Sequence, residues 1–108
     1  MTTPTGEPEV IDVPAEHRFV VREHGATAEL VYEVVPGRLV LVHTGVPDEL
    51  GGRGIGGHLV RAAIERAERD HLTIVPYCPF ARQWLHDHPE AAGSTPIDWT
   101  STRPPRDQ

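Results

Sequence analysis

Apolar and polar positions alternate with period two in successive stretches of the first half of the chain, and a later stretch repeats with period 3.6. From His17, the run Arg18-Phe19-Val20-Val21-Arg22-Glu23 reads as a strand, and His24-Gly25 as a turn into a second strand from Ala26 to Val35. In that second strand Ala28, Leu30, Tyr32 and Val34 share one face, with Thr27, Glu29, Val31 and Glu33 on the other. One face therefore packs and the other is largely wet. Pro36-Gly37 makes the next turn, and a third strand runs from Arg38 to about Val46. Its Leu39, Leu41 and His43 alternate with Val40, Val42 and Thr44, so apolar groups occupy both faces and a central position is expected. Together the three strands predict an antiparallel meander.

Regular pairing is expected to stop where Gly45 favours a bulge and Pro47 lacks an N–H to donate. After the glycine-rich run Gly51-Gly52-Arg53-Gly54-Ile55-Gly56-Gly57, the period changes. Ile55, Leu59, Ala63 and Ala67 form an i, i+4 row with Val60 and Ile64 beside it, which predicts a helix over about 54–70. Arg61, Glu65 and Arg69 lie on its outer side as i, i+4 pairs. His71-Leu72-Thr73-Ile74-Val75 is then a strand, and a strand-helix-strand crossover of this length implies parallel pairing. Pro79 starts a second helix and Pro89 ends it after His88. Residues 1–14 read as a flexible leader, 15–92 as one α+β domain and 93–108 as a loose tail whose Ile97 and Trp99 are able to fold back.

Composition narrows the function. At 108 residues with 38% hydrophobic content, one modest core is affordable. A net charge of -6 opposes any general affinity for nucleic acid or an anionic membrane, while a basic partner or an amine substrate is compatible with it. No apolar run approaches the length of a membrane span, and no basic-then-apolar signal pattern opens the chain. A single cysteine forms no internal disulfide, so a reducing cytoplasm is the expected compartment.

The glycine run supplies the strongest chemical signal. Successive glycines let main-chain N–H groups converge, and a following helix adds its own unpaired donors and positive dipole end. Such a place suits a phosphate or pyrophosphate. A P-loop is excluded, because Gly56 is followed by Gly57 and His58 instead of the required lysine and hydroxyl residue. A dinucleotide fingerprint matches at Gly52, Gly54 and Gly57, but the chain has only one further strand where that fold needs a long βαβ sheet. The pattern Q/R-x-x-G-x-G/A fits at Gly54 and Gly56.

With its flanks, this run resembles the GNAT superfamily of acetyl-CoA-dependent N-acetyltransferases. His43-Thr44-Gly45-Val46-Pro47-Asp48-Glu49-Leu50, the glycine loop, and Val75-Pro76-Tyr77-Cys78-Pro79-Phe80 with His88-Pro89-Glu90 are similar to the short, stand-alone GNAT-like proteins over about 15–92. The resemblance implies a compact GNAT-like fold, with acetyl-CoA lying between the strand ending near Val46 and the one ending near Val75. It implies pyrophosphate held by Gly51, Gly52, Arg53, Gly54, Ile55, Gly56 and Gly57, and the acyl arm held by Thr44, Gly45, Val46, Cys78, Pro79 and Phe80. A neutral primary amine would attack the thioester, with backbone N–H groups at Gly45 and Val46 stabilising the oxyanion.

Cys78 immediately precedes Pro79, a position where a helix dipole favours thiolate. It is the first choice for returning a proton to the leaving thiolate or for transient acylation, against the plain alternative of a buried small apolar residue. His43, Asp48 or water would take the ammonium proton. The remaining histidines fit no tetrahedral metal site, since His86 and His88 are two apart and do not share a helical face. Trp84 shares a face with Phe80, as a core aromatic or a cofactor contact. The sequence departs from the family at three places: Gly51 replaces Gln or Arg, Gly45 replaces a glutamate often found after the His-Thr pair, and Trp84 replaces a tyrosine. These departures define the alternative reading, a CoA or acyl-CoA binding module without transferase activity. An open acceptor side suits either a small molecule or a protein tail, in a monomer or a homodimer.

Overall fold

The structure is a computed structural model in which residues 8–52 and 54–100 are described. Five strands form one mixed sheet in chain order, β1 (Ile11–Val13), β2 (Arg18–Glu23), β3 (Ala26–Val35), β4 (Arg38–Gly45) and β5 (Thr73–Pro76). Pairing is antiparallel from β1 to β4 and parallel between β4 and β5, as the helical crossover requires. The crossover helix is α1 (Ile55–Asp70), followed after β5 by α2 (Pro79–Asp87) and a short α3 (Pro89–Ala92). This is the expected α+β architecture. Among the described residues no helix is long and apolar enough to cross a membrane.

The hairpins follow from local chemistry. His24 and Gly25 both have positive φ (53° and 76°), the geometry whose twist matches paired antiparallel strands. The predicted row of α1 is buried as a unit, with Ile55, Leu59, Val60, Ala63, Ile64 and Ala67 packed against Phe19, Ala28, Leu30, Tyr32, Leu39 and Leu41 of the sheet. Val20, Val40 and Val75 are buried on the opposite face, so β4 is central and apolar on both sides. On the outer side of α1, no ion pair joins Arg61, Glu65 and Arg69 to one another among the described residues; Arg61 lies over the Trp84 ring instead, 5.0 Å from its centroid, and Arg69 approaches Asp70. Pro89 ends α2, as expected, and also opens α3 at its first position.

Part of the segment read as a leader is a strand. Ile11, Asp12 and Val13 pair with Val20, Phe19 and Arg18, extending the meander to four strands. Little apolar burial holds β1 in place; polar contacts do. The Tyr32 hydroxyl donates to Asp12 Oδ1 at 2.5 Å, and Arg66 Nη1 donates to Asp12 Oδ2 at 2.7 Å and to the Tyr32 oxygen at 3.1 Å. Arg66 Nε also donates to Asp70 at 2.6 Å. Burial pushes the Tyr32 hydroxyl above its ordinary pKa, helped by its bond to Asp12. The hydrogen bond from Arg66 holds Asp70 below the usual carboxylate range. At the other end of the chain, Ile97 forms a parallel bridge to Ile74, and Arg82 donates to the Trp99 carbonyl while lying over its ring. The remaining leader and tail residues, 1–7 and 101–108, lie outside the described residues.

Candidate active site

Two strands that start side by side part company at the centre of the molecule. Parallel pairing of β4 with β5 runs from Arg38↔Thr73 to Leu41↔Pro76 and stops. The Leu41 carbonyl accepts the last contacts, from the N–H groups of Tyr77 (3.1 Å) and Cys78 (2.9 Å), as the chain turns into α2. Beyond it β4 continues through Gly45, paired only with β3. The ladder therefore has a gap between Val42–Gly45 and the start of α2, where β4 has no backbone partner on that side among the described residues.

The bulge lies at Val42, not at Gly45. Val31 pairs with His43 while Tyr32 pairs with Leu41, so β4 carries one residue that has no partner, whereas Gly45 pairs regularly with Glu29. The extra residue reverses the alternation beyond it. Thr44, opposite Leu30, joins the helix face with Leu39 and Leu41; His43 moves to the opposite face. There Thr44 Oγ1 comes within 3.1 Å of Cys78 Sγ. Cys78 is 3% exposed, at the cap position of α2 with Pro79 first in the helix. The two residues proposed from sequence as catalytic, Cys78 and His43, thus sit on opposite sides of the sheet.

The glycine run divides into two parts with different tasks. A 3-10 turn, Asp48–Leu50, buries Leu50 and leads into Gly51; Gly52 and Gly54 then take positive φ (78° and 72°), which bends the backbone into the start of α1. Gly54 is the cap and has no side chain, so it offers no side-chain acceptor to the first N–H groups of α1, and no side-chain cap bond is seen there among the described residues. Gly56 and Gly57 serve packing as well. A Cβ on Gly56 would lie 2.6 Å from Phe80 Cζ, and one on Gly57 2.7 Å from Trp84 Nε1. Their bare backbone lets both rings of α2 lie against α1. Trp84 closes over Gly57 and stacks on His88, with ring centroids 4.1 Å apart.

A cleft of about 430 Å³ gathers most of the residues expected at the cofactor, namely Val46, Gly51, Gly52, Gly54, Ile55, Gly56, Gly57 and Phe80. Asp48 lines the same cleft. Thr44, Gly45, Cys78 and Pro79 do not line it but adjoin it in the chain, two or fewer residues from Val46 or Phe80. Arg53 lies outside the described residues. On the far side of Trp84 a larger polar cavity of about 710 Å³ shares Gly54 and Gly57 and is bordered by His58, Arg61, Glu65 and His88. Sequence reasoning missed this second cavity. Its signal was the spacing of four residues between Gly54 and His58 at the start of α1 and between Trp84 and His88 at the end of α2. Among the described residues no group of three or more His, Cys, Asp and Glu is placed to hold a metal ion.

Known proteins resemble this chain in sequence and in fold. The family described as GCN5-related N-acetyl-transferase matches residues 18–93. The proteins called NATD1 in Gallus gallus and Homo sapiens are each 37% identical to the chain over 75 residues, a stretch covering 67% of it and 68% and 66% of them, respectively. A GCN5-like protein from Staphylococcus aureus, solved by NMR, superposes with a TM-score of 0.64 at 30% identity, covering 89% of this chain and 96% of that one.

Proposed function

The chain belongs to the GCN5-related N-acetyltransferase family, and from that premise we propose that acetyl-CoA is its acyl donor and a primary amine its acceptor. One observation carries the reading: the glycine bend at the start of α1 lines one cleft with Val46 and Phe80, each two residues along the chain from a member of the Thr44–Cys78 pair. The loop from Gly51 to Gly57 holds the pyrophosphate on backbone donors and the positive end of a 16-residue helix. The pantetheine arm runs past Val46 and Phe80 into the gap, replacing the missing strand partner along Val42–Gly45. The adjoining polar cavity takes the nucleoside end, with Arg61, His58 and His88 as its polar contacts.

In the gap, backbone N–H groups near Gly45 and Val46 stabilise charge on the thioester oxygen as the amine attacks. The new C–N bond forms, the C–S bond breaks, and the proton shed by the amide nitrogen returns to the departing thiolate through the Thr44–Cys78 pair. His43 removes the first proton from the ammonium. A single cysteine and an acidic surface suit action in the cytoplasm.

Calorimetry and hydrogen exchange with acetyl-CoA test this reading. Saturable heat and slowed exchange at residues 51–60 are expected. Unchanged exchange there at saturating ligand overturns it.

A further inference from the structure

On the sheet face opposite Cys78, a carboxylate from the neighbouring strand reaches the place where Gly45 lacks a side chain. Glu29 pairs directly with Gly45 across β3 and β4. A Cβ added at Gly45 would lie 3.3 Å from His43 Nε2 and 3.9 Å from Glu29 Oε2. The missing side chain therefore leaves a notch bordered closely by the His43 imidazole nitrogen and, farther off, by Cγ and Oε2 of Glu29. Glu29 is held in place from behind: Arg18 Nη1 donates to its Oε1 at 2.9 Å, and Arg18 is itself held by Glu16 at 2.8 Å. No hydrogen bond to Oε2 is seen among the described residues, so this oxygen remains an acceptor facing the notch.

We propose that this notch is the acceptor site, and that Glu29 selects amines that arrive as cations. The inference rests on the donor assignment above, because an acyl arm entering from the helix face leaves the opposite face of the gap for the nucleophile. The ammonium docks against Glu29 Oε2, held by a charge-assisted hydrogen bond. It gives one proton to His43 Nε2, and the neutral nitrogen then faces the thioester carbonyl. The C–N bond forms as the C–S bond breaks, and the second proton leaves with the coenzyme thiol. Around the notch, among the described residues, stand the Glu29 carboxylate from β3, the His43 imidazole from β4, and the Arg18 guanidinium from β2 with Glu16 behind it. Arg18 is already paired twice, so Glu29 supplies the negative edge.

The test uses the full chain, isotopically labelled and saturated with coenzyme A, titrated with n-butylammonium and separately with uncharged 1-butanol. Saturable shifts of the Gly45 amide and the His43 ring with the cation, and none with the alcohol, are expected. E29Q keeps the shape but loses the charge, and should weaken the cation response by about tenfold or more, the effect of one lost charge-assisted bond. G45A keeps Glu29 and fills the notch, and should weaken it comparably. Equal response to both probes, no response in the parent protein, or a parent-like response in E29Q overturns the proposal. Loss of the coenzyme response at residues 51–57 would instead sink the donor assignment, and the same titration without coenzyme A then judges Glu29 by itself.

Discussion

Thr44 Oγ1 faces Cys78 Sγ at 3.1 Å because Val42 is inserted into β4 without a partner on β3. Without that extra residue His43 would hold the helix face and Thr44 the opposite one. A single irregularity thus sorts the polar residues at the strand end, a hydroxyl toward the cysteine and an imidazole toward Glu29.

If this pair returns the proton, Cys78→Ala and Thr44→Val should each lower kcat by about 100-fold, the usual scale for losing a positioned proton donor. The KM for acetyl-CoA should change little. All ten basic residues counted in the chain are arginine, so lysine acetylation cannot mask an adduct. Mass spectrometry after incubation with acetyl-CoA should find Cys78 unmodified, and an acetylated Cys78 would establish covalent transfer in place of proton return.

Gly56→Ala and Gly57→Ala test the second task of the glycine run. Each methyl would meet an aromatic ring, at 2.6 Å from Phe80 and 2.7 Å from Trp84, so the rings or α2 must shift. Overpacking of this kind costs about 1–3 kcal/mol. Denaturant titration should show that loss in both variants. Retained stability with lost coenzyme binding would mean that these glycines serve the ligand alone.

Arg66 ties β1 to α1 and β3, and Arg66→Met should cost about 1–3 kcal/mol for its lost charged hydrogen bonds to Asp12 and Tyr32. Amide exchange at Ile11–Val13 should rise first. A smaller effect on those amides than on the core would contradict the strap role of this network.

The same network predicts both limbs of the pH profile. Asp70 has a folded pKa below its ordinary 3.8, so its contribution is present above that value and is lost as pH falls through the lowered one. Tyr32 has a folded pKa above its ordinary 10.0, so its contribution is complete below that value and is lost as pH rises through the raised one. Chemical denaturation across pH should show both declines. Arg66→Met should flatten the acid limb and Tyr32→Phe the alkaline one.

The central strands, the buried row of α1 and the glycine bend were legible because each repeats locally, with period two, period 3.6 or a cluster of residues tolerating positive φ. β1 was not legible. Its stretch has almost no apolar pattern, and its hold comes from Asp12 meeting Tyr32 and Arg66, which are 20 and 54 residues away in the chain. The bulge was misplaced to Gly45 for a related reason, since Val42 is a good strand residue and only its partners on β3 show that it is unpaired.

The amino-acid order alone determined the α+β class, the crossover, the family and the residues gathered around the glycine bend, because side-chain period and backbone permissiveness act over a few neighbours. Tertiary structure alone decided which face each polar residue serves: that Thr44 meets Cys78, that Gly56 and Gly57 carry aromatic rings, and that Glu29 borders the notch at Gly45. Those relations depend on register between strands and on the approach of helices, and one inserted residue is enough to reverse them.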